Sequence, residues 1–220
     1  MTVADIHIHT TYSADSSITP AALLQRAEKI GLDIVCITDH NVFEENIGVE
    51  SLKNADKKPL LIRGVEIDTS NSELIIFGLT KDFWKELRSN MDLLPSVEKV
   101  IKAVSEFGGV AIWPHPFRDY TVTHYDTEYK KFHGVKIMEG MNGKNSTEEN
   151  LAAIKYAKEN GYKATGGSDA HQIADIGKCL TLFKNEIRTE KEFISALKNS
   201  DYIPITYNDF KGKDLSLFTF

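Results

Sequence analysis

The chain has 220 residues, of which 41% are hydrophobic and 26% charged, with 26 basic against 32 acidic side chains and a net charge of −6. That length suits one well-buried domain, residues 1–220. The acidic balance, with no basic stripe beyond Lys57-Lys58 and Lys130-Lys131, argues against long nucleic acid as a partner, and the lack of a membrane-length apolar run or a leader-like start predicts a cytosolic protein.

Residues 3–9 read as a strand that ends in His7-Ile8-His9. Thr19 then caps a helix with Pro20 in its first turn, an apolar stripe of Leu23, Leu24, Ala27 and Ile30, and Gly31 as its stop. Strands are predicted over 34–38, 60–67 and 74–79, the last two joined as a hairpin through Ser70-Asn71-Ser72. Val97, Val100, Ile101 and Val104 recur at helical spacing before Gly108-Gly109. Strands over 110–113 and 134–138 follow, then a helix over 146–160 ended by Gly161. A strand over 162–165 leads into Gly166-Gly167-Ser168-Asp169, where the glycines are expected to permit a tight strand-end turn. After a strand over 180–183, Thr189 and Glu192 form a capping box for a helix carrying Phe193, Ala196 and Leu197, and 202–205 gives the last strand. The strand–helix alternation predicts an α/β fold with a parallel sheet. Cys36 and Cys179 lie in apolar runs and read as buried, reduced thiols.

Side chains at i and i+2 of a strand share a face. His7 with His9, and Asp169 with His171, can therefore each offer two ligands to one point. Asp39-His40, Glu66 and His115 lie at or just beyond the ends of other strands, which is the rim where a β/α barrel builds its active site. A lone histidine there would be an ordinary hydrogen-bonding residue. Five of the seven histidines (His7, His9, His40, His115 and His171) fall at strand ends beside carboxylates, and that coincidence points to metal. His124 and His133 sit in a polar stretch and are expected at the surface, with a loop over the site as the alternative for His124.

An imidazole and carboxylate set suits Zn, Mn or Fe, and the lack of thiolates argues against a closed structural zinc site. Open coordination positions would let such ions acidify water and hold phosphoryl oxygens together. Glu66, at the end of an apolar strand, is costly to bury unless paired, and bridging two cations would satisfy it. Walker-type, dinucleotide-binding, Ser-His-Asp and Cys-His patterns are not evident.

In their order along the chain, Asp5-Ile6-His7-Ile8-His9-Thr10, Tyr12-Ser13-Ala14-Asp15-Ser16, Thr38-Asp39-His40-Asn41, Gly64-Val65-Glu66-Ile67, His115-Pro116-Phe117 and Gly167-Ser168-Asp169-Ala170-His171 resemble the successive motifs of the PHP (polymerase and histidinol phosphatase) family. The resemblance implies a distorted (β/α)7 barrel with two or three divalent metal ions at its rim. It also implies hydrolysis of phosphate esters by in-line attack of a metal-bound hydroxide. His7, His9, Glu66 and Asp169 would hold one ion; Asp15, His40 and His171 a second; Glu66 and His115 would begin a third position. Many relatives have another histidine in the strand after the bridging glutamate. This chain has Glu73 near that point, expected to face solvent at the hairpin rather than to ligate.

Around this set, Asp39 is expected to support a ligand from the opposite face, and Asp5 and Asp68 to orient imidazoles. Arg118 either forks onto a substrate phosphate or pairs with Asp119, while Glu139 and Asn142 approach the rim to meet substrate hydroxyls or a metal-bound water. The compact acidic chain favours a small phosphomonoester or nucleotide as substrate, with exonuclease action on short oligonucleotides as the next reading. An amidohydrolase-type C–N hydrolase also starts from a His-x-His strand, but the Tyr12–Asp15 segment and a bridging Glu66 in place of lysine argue against it. A non-catalytic sensor and a regulatory subunit complete the alternatives. The native metal and oligomeric state stay open, and the apolar segment 215–220 is expected to dock on its own barrel.

Overall fold

The structure is a computed structural model that describes residues 1–43, 59–70, 72–89, 94–118, 134–211, 214–215 and 218–220. In chain order the elements are β1 (Thr2–Ile8), α1 (Pro20–Ile30), β2 (Ile34–Ile37), β3 (Leu60–Asp68), β4 (Glu73–Phe77), α2 (Lys81–Ser89), α3 (Val97–Glu106), β5 (Val110–Ile112), β6 (Ile137–Asn142) and α4 (Thr147–Asn160). Then come β7 (Lys163–Gly167), a 3-10 turn (Ile173–Asp175), β8 (Cys179–Phe183), α5 (Glu190–Asn199), β9 (Tyr202–Thr206) and the one-turn α6 (Tyr207–Phe210).

The strands form a seven-stranded sheet of order β5-β4-β3-β2-β1-β8-β9 and a two-stranded sheet of β6 and β7. Parallel bridges Trp113↔Met138 and Ile8↔Ala170 tie β6 to β5 and the end of β7 to β1. Strands β1 to β7 thus succeed one another around a distorted barrel. The expected parallel sheet is modified at two places. β4 runs antiparallel to both neighbours because the short Asp68–Glu73 connection is a hairpin, and the sheet is extended beyond β1 by β8, antiparallel to β1, and β9, antiparallel to β8.

Local signals explain most of the elements. Thr19 Oγ1 accepts from the Ala22 N–H, and Gly31, at φ 80°, closes α1 in the left-handed conformation. Reciprocal capping boxes start α4 at Ser146/Glu149 and α5 at Thr189/Glu192. The strand expected over 134–138 begins later, at Ile137, because Gly134 has φ 103° and the ladder with β7 runs from Ile137↔Lys163 to Asn142↔Gly167. α2 was not expected; Thr80 Oγ1 caps it by accepting from the Phe83 N–H, and only Phe83 and Leu87 bury themselves from an otherwise polar segment.

One irregularity aims the site. The β1–β2 register shifts between Asp5 and Ile8. Before the shift, Ala4 and Ile6 pack with Ile34, Cys36, Ile62, Ile75 and Phe77 in one core cluster. After it, Ile8 joins a second cluster with α1, which leaves His7 and His9 to face the other side. Leu215, Phe218 and Phe220 pack on that second cluster, as expected of the apolar C-terminal segment; Ser216 and Leu217 lie outside the described residues. Cys36 and Cys179 are free and buried. Among the described residues no helix is long and apolar enough to cross a membrane.

Gly166 and Gly167 serve close packing rather than a positive-φ turn. A Cβ on Gly166 would fall 2.3 Å from the Leu180 carbonyl oxygen, and one on Gly167 would fall 2.6 Å from His7 Cβ. Gly166→Ala should cost about 3 kcal/mol in urea unfolding. Gly108→Ala, at a φ of +74° with nothing within 4 Å of the added carbon, should cost only the backbone strain, about 1 kcal/mol.

Candidate metal centre

The ends of the barrel strands bring every expected ligand to one rim. His7 is the penultimate residue of β1, and His9 follows the strand. A single bridge pairs His40 with Glu66 of β3, and Asp169 and His171 follow β7. The backbone fixes this convergence: the Asp169 N–H donates to the His7 carbonyl at 2.8 Å and the His9 N–H to the Ala170 carbonyl at 3.0 Å.

At the buried centre, His7 Nε2 and His9 Nε2 lie 3.1 Å apart. Each is 3.1 Å from Glu66 Oε2, and they stand 3.7 and 3.3 Å from Asp169 Oδ1. Ligand atoms about 2.1 Å from a common ion sit about 3–3.5 Å from one another, so the spacing fits a coordination shell. Toward solvent, Asp15 Oδ2 lies 2.8 Å from His171 Nε2 and 3.7 Å from His40 Nε2. On the other flank His115 Nε2 is 3.1 Å from Glu66 Oε1. Glu66 therefore presents one oxygen to each side, an arrangement that would let it bridge two cations.

Hydrogen bonds set which imidazole nitrogen is free. His7 Nδ1 donates to Glu139 Oε1 at 2.9 Å, and His171 Nδ1 to the Asp169 carbonyl at 2.9 Å. His9 Nδ1 lies 3.4 Å from Ser13 Oγ, which donates to Asp39 Oδ1 at 2.9 Å and accepts from the His40 N–H. In the neutral form of each ring these bonds keep the proton on Nδ1, away from the centre, and leave Nε2 facing inward as a donor to a cation. Without a positive charge among them, these lone pairs and carboxylates would repel one another. Asp169 and His115 also hold positive φ angles of 51° and 28°, uncommon for residues with side chains and concentrated here at the site.

The electrostatics follow from this crowding. Burial would lower His7, but Glu139, Glu66 and Asp169 override it and hold its imidazolium well above the ordinary value of 6.5. His9 is raised despite its burial through hydrogen bonds to Asp169 and Glu66. Burial would raise Glu66 and Asp169, yet His7 foremost holds both below the usual carboxylate range, with Arg118 assisting at Asp169. Burial pushes Asp5 up to about 6, against hydrogen bonds from Ser168, Gly177 and His7.

Several surrounding residues have roles other than those expected. Glu73 faces the site, with Oε2 3.5 Å from His115 Nε2 and Oε1 3.9 Å from His40 Nδ1, because its pairing with Asp68 turns it inward. Burial and the charge of Glu66 raise its carboxyl. Glu139, expected at substrate, lies behind His7 at 1% exposure, and its Oε2 accepts from the His115 N–H and from Asn142 Nδ2, both at 2.9 Å. Asn142 is equally buried. Its Oδ1 accepts from Arg118 Nη2 at 2.7 Å.

Arg118 also donates to Asn145 Oδ1 at 3.1 Å and pairs with Asp169; Asp119, its expected alternative partner, lies outside the described residues, as do His124, His133 and Asn71. Asp5, expected to orient an imidazole, instead accepts backbone N–H groups of Ser168 and Gly177, at 3.0 and 2.9 Å, and so clasps both ends of the loop that carries Asp169 and His171. Asp68 Oδ1 is 3.9 Å from His40 Nδ1, and its Oδ2 accepts from Asn41 Nδ2. Asp39 accepts from the Thr10 N–H and Oγ1 as well as from Ser13, holding the loop under His9 and His40. An open cleft of about 640 Å³ leads to the centre, lined in part by Asp68, Glu73, Trp113, His115 and Arg118.

Comparison with known proteins places this geometry. Residues 147–202, about a quarter of the chain, match a family model described as PHP-associated. An uncharacterized protein of Methanocaldococcus jannaschii is 36% identical over 124 residues, which is 52% of this chain and 67% of the relative. A probable phosphatase of Thermoanaerobacter sp. is 26% identical over 220 residues, covering 86% of this chain and 88% of that protein. Among solved structures, a two-domain protein from Bacteroides vulgatus containing a predicted PHP-like metal-dependent phosphoesterase superposes with a TM-score of 0.73 at 19% identity, over 93% of this chain and 64% of its own. The lesion-specific endonuclease of Pyrococcus furiosus gives a TM-score of 0.66 at 19% identity, over 91% of this chain and 57% of its own. This chain thus spans under two thirds of either solved protein, and the likeness to them is one of fold.

The raised His7 value has a measurable sign. In chelator-treated protein its stabilising contribution is fully present below pH 6.5 and is lost as pH rises through the higher folded value. The melting temperature of that protein should therefore fall above pH 6.5, and Glu139→Gln should shrink the fall. The same variant should weaken Zn or Mn binding, read by titration calorimetry, by about tenfold or more.

Proposed function

The chain belongs to the PHP family, and on that premise we propose that it is a metal-dependent hydrolase of phosphate esters acting on a small phosphomonoester or nucleotide. The observation that carries the reading is the convergence of His7, His9, Glu66 and Asp169 on one buried point, with Asp15, His40 and His171 on one flank and His115 on the other. The donors are imidazole and carboxylate, with the ring protons held away from the centre, and they fit two or three divalent ions such as Zn, Mn or Fe. When bound, these ions supply Lewis acidity toward phosphoryl oxygens and bring the ionisation of water toward neutral pH.

The chain's own residues do the rest. His7, His9 and Asp169 are fixed by Glu139, Ser13 and Arg118, so little rearrangement is needed as the phosphoryl group arrives. Arg118 lines the cleft and keeps its guanidinium beside the rim, where it can meet a non-bridging oxygen. Glu139 and Asn142 act through His7, His115 and Arg118, and no direct contact with substrate is assigned to them. Among cleft-lining residues, Asp68 and Glu73 disfavour a polyanion, which supports a compact substrate.

The openness of the cleft supports a second reading, cleavage at the end of a short oligonucleotide, and the likeness to an endonuclease fold keeps longer nucleic acid within the test. Phosphate release should be measured on sugar phosphates and nucleotides, with short oligonucleotides, abasic duplex DNA and amides alongside, after loading with Mn, Zn or Fe. Turnover of a phosphate ester is expected, and Asp169→Asn should lower it about a thousandfold, the loss of several kcal/mol of electrostatic stabilisation. Bound metal with no attack on any phosphate ester would sink the reading.

A further inference from the structure

The hairpin between β3 and β4 places like charges side by side. Asp68 and Glu73 are directly paired across it, and Glu66 lies two residues before Asp68 on β3. Like charges opposite one another in a sheet are destabilising, so this corner is expensive unless something positive occupies it. Two imidazoles border it. His115 Nε2 is 3.1 Å from Glu66 Oε1 and 3.5 Å from Glu73 Oε2. On the other side His40 Nδ1 is 3.6 Å from Glu66 Oε2 and 3.9 Å from both Glu73 Oε1 and Asp68 Oδ1. Ligand-capable atoms of His40, Glu66 and Glu73 all lie within 4.8 Å of one another.

The composition of this corner differs from that of its neighbours. The buried position has two imidazoles with two carboxylates, and the position at Asp15 has His40 and His171 with one carboxylate. Here the two imidazoles, His115 and His40, face Glu66 and Glu73, with a third carboxylate from Asp68 nearby, so carboxylates outnumber imidazoles at this corner alone of the three. Oxygen-rich sets favour harder ions such as Mn2+, whereas imidazole suits Zn2+. Exposure differs too: Glu73 is 36% exposed and lines the cleft, whereas His7 and His9 are fully buried.

We propose that Glu73 is a metal ligand and makes the cleft-side position an oxygen-rich site for a hard divalent cation. This position exchanges with solvent and selects Mn2+ over Zn2+, while the other two positions, where imidazoles equal or outnumber carboxylates, retain Zn2+. The inference rests on the metal-dependent reading above, and it assigns to this chain a mixed-metal centre in which the outer ion enters from the same cleft as the substrate.

The test is a Mn2+ titration of protein first saturated with Zn2+ and freed of excess, with free Mn2+ followed by electron paramagnetic resonance and bound Zn2+ by elemental analysis. The expected wild-type result is two zinc ions retained and one Mn2+ taken up per chain. Glu73→Gln should keep both zinc ions and weaken Mn2+ uptake by about tenfold or more. Glu73→His, which exchanges an oxygen for a nitrogen donor, should let a third Zn2+ bind in place of Mn2+. Equal Mn2+ binding by wild type and Glu73→Gln would overturn the proposal, and so would a third Zn2+ in the wild type. Loss of a zinc ion in Glu73→Gln would also overturn it, because Glu73 would then be orienting His40 for the neighbouring position. A wild-type chain that retains neither metal would instead remove the metal-dependent reading, and the inference with it.

Discussion

Four acceptor atoms, from His7, His9, Glu66 and Asp169, point at one another in a place that water does not reach. That arrangement is tolerable only around positive charge. Without metal the carboxylates raise the proton affinity of His7 and His9 above that of a free imidazole, and a divalent ion is the stronger answer. Much of the surrounding structure keeps these four groups in place. Glu139 backs His7, the Thr10–Ser13 loop tied to Asp39 backs His9, Arg118 backs Asp169, and Asp5 pins the loop after β7. The shifted register in β1 belongs to the same set, since without it the two histidines would lie under α1.

The candidate ligands were legible because the chemistry leaves few substitutes for them. An apolar strand ending in His-x-His or Asp-x-His has no cheap structural explanation, and helices announced themselves through Thr19-Pro20, Ser146/Glu149 and Thr189/Glu192. What stayed hidden depended on pairing between segments. The inward turn of Glu73 follows from its partner Asp68, and the burial of Glu139 follows from β6 running on to Asn142, which pairs Glu139 with Thr165 of β7. The role of Asp5 is set by backbone groups more than 160 residues away. Neither spacing nor side-chain type reports such relations. α2 escaped for a different reason, since two buried residues in nine leave almost no apolar stripe to read.

The centre is graded from inside to outside. Its deepest groups are sealed and held by several bonds each, whereas Asp15 is 52% exposed and Glu73 borders the cleft. Rigid burial suits groups that must keep a fixed geometry through turnover. Exposed groups suit steps in which ions, water or substrate come and go. The positive φ angles at His115 and Asp169 lie where sealed and open parts meet, so some backbone strain is spent at that boundary.

The bridge between Ile8 and Ala170 has a consequence for how the protein is made. Strand β1 is synthesised before the other strands of the barrel, yet two of its neighbours, β8 and the end of β7, follow more than 150 residues later. Contacts of such separation form late and slow folding. Until residue 171 has emerged, the nascent chain holds His7 and His9 without the aspartate and histidine that complete their shell. Metal capture by the whole constellation therefore comes after ring closure and serves as a chemical signature of a closed barrel.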